Sequence, residues 1–487
     1  MKMTDLKPTI LWQCFDEITK VPRPSKKEEK IIAYLEEFAR KHNIDYSKDQ
    51  IGNIVMRKPA TKGYEHLETV ILQSHMDMVC EKNSDVVHDF EKDPIRTVVD
   101  GDWLRAEGTT LGADNGIGCA AQMAVLISND IEHGPLECLF TVDEETGLTG
   151  AQNIQPGFLS GKILLNLDSE DEGEMFIGCA GGKDTQGLFT YKKEELPQGY
   201  IFLKVSVSGL RGGHSGGDIH LGLGNANKLL ARFLMEVDKE MSWVLSEIKG
   251  GNLRNAIARE AYAIIGIEAA KKETVRVLLN EFSAAVENEL SAVEPSVKFS
   301  LETAETPDFK IDCTTKHNLL LALIVCPHGV LGMSHEIEGL VETSTNLASV
   351  KMIEDNGILI GTSQRSSTES LKIAACDQVA STFRLAGAEV RHSDGYPGWK
   401  PNPNSKILQA ASDTYEEIFG KKPAIKAIHA GLECGLFLDK YPYLDMVSFG
   451  PTLRDVHSPA ERIEIKTVQM WWDHLLLLLK RIPSAKA

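Results

Sequence analysis

Up to about Cys179 the apolar positions of the chain keep two periods, and each period predicts an element. From Pro8 to His42 they recur at helical spacing, as at Ile31, Leu35 and Phe38. Residues 53–57 read as a strand, 68–75 as a buried strand ending in polar residues, and 136–142 and 162–167 as two more. Between them, 110–128 opens with glycines and continues as a helix of small, apolar residues. Strands alternating with helices predict an α/β sheet with helices packed on its faces.

The pattern changes at the glycine-rich stretch 178–183. Beyond it we expect strands at 200–207, 260–267 and 357–363 and helices at 225–239 and 272–286, none carrying a dense carboxylate cluster. A Gly- and Pro-rich loop, 392–403, reads as the return crossing. Two amphipathic helices and a strand at 444–449 then complete the chain. The expected organisation is a catalytic domain of residues 1–186 and 393–487, interrupted by an inserted domain of residues 187–392.

Composition narrows the partners. At 487 residues the chain is too long for one core. Acidic residues outnumber basic ones, 70 to 52, and the net charge of -18 repels phosphate backbones and anionic lipid. Nucleic acid and membrane are therefore not expected as partners. The nine cysteines form no CxxC pair, which suits reduced thiols in a cytosol. The N-terminus mixes charges into its apolar residues as a secretory signal does not, and the apolar run 475–479 is too short to span a bilayer. A soluble, cytoplasmic protein is expected.

Candidate chemistry gathers at the predicted strand ends. His75 and Asp77 stand two apart after one strand, so a strand would point both the same way. His75 could then bind a metal while Asp77 orients its ring, although His-x-Asp is a common pair. Asp114 lies among the glycines of GTTLGADNGIG, where the backbone can approach a ligand closely; a helix N-cap is the alternative. Glu144 and Glu145 follow another strand. One could bind metal while the other stays free as a general base, or the pair could be an exposed acidic loop. Asp168 ends a fourth strand, and His457 lies beyond a strand and a turn. Each is weak alone. Together, His and carboxylates at the edge of an α/β sheet are what a two-metal oxygen/nitrogen site requires.

With HMD, GADNGIG, DEETG, a strand ending in Asp168 and a late HSP in this order, the sequence resembles the M20 metallopeptidases. The closer resemblance is to their aminoacyl-histidine (Xaa-His) dipeptidase branch, through RGGHSGGDIHLGLGNAN, GGNLRNAIARE and DGYPGW as well. The resemblance implies a two-metal catalytic domain with a mixed sheet, interrupted by an α+β lid domain. It implies metal ligands at His75, Asp114, Glu145, Asp168 and His457, with Asp114 bridging the ions, Asp77 behind His75 and Glu144 as the base. His214 matches a lid histidine that polarises the scissile carbonyl, and Asn255 and Arg365 match lid residues that hold the substrate. The implied cofactors are two divalent ions: Zn2+ first, with Mn2+ or Co2+ compatible with so many oxygen ligands. The implied reaction is hydrolysis of dipeptides, Xaa-His among them, by a homodimer joined through the lid. N-acyl amino acid deacylation and trimming of short peptides are the rival uses of the same site. A metal-stabilised binding protein without turnover is the rival outside enzymology.

Overall fold

A computed structural model describes residues 2–485. The chain divides into two compact units, one formed by Met1–Cys179, Trp399–Ala427 and Leu432–Ala487, the other by Ala180–Gly398 and Ile428–Gly431.

The first unit is built on an eight-stranded mixed sheet. Its strands are β1 (Asp45–Lys48), β2 (Ile54–Lys58), β3 (Val70–His75), β4 (Leu136–Thr141), β5 (Ile163–Asn166), β6 (Glu174–Cys179), β7 (Ala424–Ile428) and β8 (Asp445–Ser448), in the order β1-β2-β4-β3-β5-β8-β6-β7. The central four, β4, β3, β5 and β8, run parallel. β3, β4 and β5 are buried along their whole length, and β8 is buried after its first residue. That burial explains why they read as largely apolar runs rather than alternating ones. Ligands of open parallel sheets collect beyond the carboxyl ends of the strands. Here those ends lead into His75, Glu144–Glu145 and Asp168.

Two readings of the pattern are corrected. The helical run 8–42 is two helices, Thr9–Thr19 and Glu29–Lys41. Pro22 and Pro24 interrupt it, because proline supplies no amide hydrogen and pushes the residue before it out of helical geometry. The stretch after residue 403 holds three helices: Lys406–Phe419, Glu433–Lys440 and Ile465–Lys480. The middle one, eight residues of which the first five are buried, is too short and mixed to show an apolar stripe.

The second unit is an antiparallel sheet covered by helices. Strands Tyr200–Ser208, Trp243–Gly250, Ala261–Glu268, Val341–Ile353 and Gly357–Ser366 form its centre. Helices Ala226–Glu240, Cys313–Val325 and Glu369–Leu385 pack Phe233, Leu323 and Phe383 into the same core as Val205 and Ile265 of the strands. The first of these helices is capped by Asn225, whose side chain accepts from the Asn227 and Lys228 amides.

Candidate active site

In the first unit the strand ends converge on one cluster. His75 is the last residue of β3, so strand alternation does not extend to Asp77. Asp77 is held instead by donors: Ser25 Oγ at 2.8 Å and the amides of Glu144 at 3.1 Å and Glu145 at 3.3 Å. It faces His75 Nδ1 at 3.3 Å. An acceptor there favours the proton on Nδ1 and leaves the Nε2 lone pair available.

His75 Nε2 lies 3.1 Å from Asp114 Oδ1 and 3.4 Å from Asp168 Oδ1. His457 Nε2 lies 3.2 Å from Asp114 Oδ2 and within 3.1 Å of both Glu145 oxygens. The two oxygens of Asp114 thus face different histidines. Asp114 is not an N-cap: Gly112 occupies that place before α1 (Ala113–Ile127), and Asp114 leaves helical geometry at ψ 111°. The positive φ of Gly112, 69°, turns the chain sharply into the helix. Glu144 and Glu145 leave β4 through Asp143, itself at φ 49° and held by the hydroxyls of Thr146 and Thr149.

The electrostatics are lopsided. Burial pushes Glu144 well above the usual carboxylate range and also raises Glu145 and Asp168. Burial raises Glu170 and Glu433 to about 8 each. Burial would raise Asp114 as well, but hydrogen bonds with His457 and His75 outweigh it and hold that group low. His457, facing Asp114 and Glu145, is driven up to about 11. Among the described residues no lysine or arginine ion-pairs with Asp114, Glu145 or Asp168.

This donor set fits divalent cations. His75, Asp114 and Glu145 offer atoms within 4.8 Å of one another, and crowded carboxylates that pair with no lysine or arginine among the described residues are relieved by added positive charge. A second trio, Glu28, Asp77 and Asp143, is equally close. Amides and hydroxyls already donate to all three of its carboxylates, which makes it a hydrogen-bonded scaffold.

Several residues absent from the sequence-based site support it. Asn115 donates through Nδ2 to Asp168. Arg23, buried between the two prolines, donates to the carbonyls of Met76 at 3.2 Å, Asp77 at 2.9 Å and Gly112. Glu461 accepts the amides of Leu111, Gly112 and Ala113. Next to the cluster runs a buried polar ladder. Ser448 donates to Asn166 at 2.5 Å, Asn166 to Gln73 at 2.5 Å, and Gln73 to Glu433 at 2.6 Å. Thr141 also donates to Glu433, at 2.9 Å. Gln73 and Asn166 stand two residues before His75 and Asp168, a polar interruption of apolar strands that could have signalled the ladder.

The other expected residues, His214, Asn255 and Arg365, lie in the second unit. His214 Nδ1 accepts the amides of Gly216 at 3.2 Å and Gly217 at 3.0 Å, so its proton belongs on Nε2 and is free to donate. Burial and then Arg365 lower its pKa, favouring this neutral ring. The Asn255 carbonyl accepts from the Ser215 amide at 2.8 Å, which ties the two loops together. Arg365 donates to Tyr396 Oη at 2.9 Å and Ser215 Oγ at 3.3 Å. Tyr396 sits in the DGYPGW loop, where the sequence alone assigned it no role. His214 and Asn255 also line a cavity of about 850 Å³ with Lys204, Arg211, Lys249 and Arg259.

The sequence pattern of Peptidase family M20/M25/M40 matches residues 71–480, which includes every residue of the cluster. The chain belongs to that family. It is 44% identical over 483 residues to the cytosol non-specific dipeptidase of Escherichia coli (strain K12), covering 99% of each chain. It superposes on the crystal structure of the aminoacylhistidine dipeptidase from Vibrio alginolyticus with a TM-score of 0.93 and 45% identity, covering 100% of this chain and 99% of that one. An aminopeptidase from Bacillus cereus ATCC 10987, 16% identical with a TM-score of 0.57 over 98% of this chain and 99% of its own, shares the fold. This M20 chain is therefore a metal-dependent hydrolase of peptide bonds.

Proposed function

We propose that the chain hydrolyses dipeptides, Xaa-His among them, with two divalent ions held by the cluster. The observation that carries this is Asp114, whose two oxygens face His75 and His457 at 3.1 and 3.2 Å. His75, Asp114 and Asp168 would hold one ion, and Asp114, Glu145 and His457 the other. When bound, the ions acidify water and polarise a carbonyl. Zn2+ suits the imidazoles, and Mn2+ or Co2+ suits the oxygen-rich remainder.

The chain's own groups supply the rest. Glu144 takes the proton of the attacking water and returns it to the leaving amine nitrogen. Its neighbour Glu145 is committed as a ligand, so the two adjacent carboxylates keep separate roles. Asp77 fixes the His75 ring. His214 donates its Nε2 proton towards the carbonyl oxygen as negative charge develops there, from the same chain or from a partner subunit. Arg365 pairs with the substrate carboxylate, and Asn255 holds the peptide. The inserted domain acts as a lid that limits peptide length, and a homodimer forms through it. The relatives' names favour dipeptides over longer chains. The name of the Escherichia coli relative supports a cytoplasmic location, and among the described residues no helix is long and apolar enough to cross a membrane.

The test is hydrolysis of Ala-His, β-Ala-His, Gly-Leu, an N-acetylated dipeptide and a tripeptide, with and without chelator. Chelator-sensitive cleavage of free dipeptides, fastest for C-terminal His, is expected and should return with the added metal. Cleavage of the acetylated compound alone would mean a deacylase. No cleavage under any metal would mean a binding protein.

A further inference from the structure

The loop that carries His457 is poorly suited to hold a ligand by itself. His457 is 49% exposed, so packing does little to fix its ring. Both Asp455 (φ 54°) and His457 (φ 60°) sit in the left-handed region that disfavours side chains. The loop's internal ties are short: Ser458 Oγ donates to the Asp455 carbonyl at 2.7 Å, and Arg462 pairs with Asp455 at 2.7 Å. Such ties shape the turn without fixing its distance from Asp114.

Glu461, four residues after His457, spans that gap. Its side chain leaves the loop and is buried, with the residue 2% exposed. Oε2 accepts the amides of Leu111 at 2.8 Å and Gly112 at 3.0 Å. Oε1 accepts those of Ala113 at 2.8 Å and Asp114 at 3.4 Å. These amides belong to the turn that leads into α1, where buried backbone N–H groups need acceptors. A carboxylate has the lone pairs to accept all four; an amide would turn a donor towards some of them. The same turn is gripped from its other side by Arg23 at the Gly112 carbonyl.

We propose that Glu461 is a positioning residue that couples the two ion subsites, tying the loop of His457 to the helix start that presents Asp114. The proposal rests on the two-ion reading above. It also predicts an asymmetry. His75 and Asp168 stand at the ends of buried strands and have their own supports in Asp77, Arg23 and Asn115. Loss of Glu461 therefore loosens the ion shared by Glu145 and His457 and leaves the ion at His75 and Asp168 in place.

The experiment is calorimetric titration of Zn2+ into chelator-stripped wild type, Glu461→Gln, Glu461→Asp and the reference His457→Ala. Wild type should take up two ions per chain; fewer removes the two-ion reading before any variant is considered, and this proposal with it. Glu461→Gln should weaken one ion about 10- to 100-fold, as loss of a ligand's supporting partner does, and leave the other within about threefold. The weakened ion should be the one lost in His457→Ala, and Glu461→Asp, which keeps the charge on a shorter stem, should fall between. Equal weakening of both ions, or of neither, overturns the proposal. Should the variants fail to fold, amide exchange on metal-free wild type decides it. Slow exchange at Leu111, Gly112 and Ala113 is expected, and exchange at the rate of open loop amides overturns it.

Discussion

The two units place polar groups by different means. In the first, His75, Glu145 and Asp168 stand at or just beyond the ends of parallel strands, and carboxylates meet imidazoles at 3.0–3.4 Å with no lysine or arginine pairing with them among the described residues. In the second, His214 is held by two glycine amides and Arg365 by two hydroxyls. The first arrangement leaves charge unbalanced and calls for cations. The second leaves neutral and positive donors ready for an anionic or carbonyl oxygen. Groups at buried strand ends suit ions, which need distances held to a few tenths of an ångström, while donors held by a few hydrogen bonds suit a substrate that comes and goes.

The largest expected effect lies in the first unit. Glu144→Gln should lower kcat about 100- to 10,000-fold while metal content stays at the wild-type value, checked by steady-state kinetics beside elemental analysis. A variant that kept full activity would remove Glu144 as the base. His214→Ala tests the second unit at slightly smaller scale. The loss of one donor to a developing oxyanion predicts a fall of about 100- to 1,000-fold in kcat with unchanged metal affinity. A drop in metal affinity instead would erase the division of labour drawn here. Asp77→Asn should cost about 10- to 100-fold in metal affinity or activity, since the amide can no longer secure the His75 tautomer. Its counterpart, Arg365→Lys, should raise KM roughly tenfold with kcat nearly unchanged, because lysine keeps the charge but not the planar fork. An effect on kcat alone would place Arg365 at the reacting bond.

How legible each part was follows from how local its cause is. Buried strands β3, β4 and β5 were readable because their apolar runs end abruptly in His or carboxylate. The contact of Glu433 with Gln73 was not legible, since nothing near Glu433 along the chain predicts a partner 360 residues away. Arg23 lay inside what read as helix, and only the proline break brings it under the turns after His75 and before α1.

The sequence by itself determined the chemistry on offer: which strands are buried, where they stop, and that imidazoles and carboxylates stand at or beyond their ends. Those features depend on side-chain type and short-range periodicity, which the chain carries at every position. Only the tertiary structure decided that Asp114 faces both histidines, that Asp77 is fixed by the amides of Glu144 and Glu145, and that Glu461 closes over the start of α1. These depend on a strand order that departs from chain order and on contacts across hundreds of residues, and no local preference specifies either.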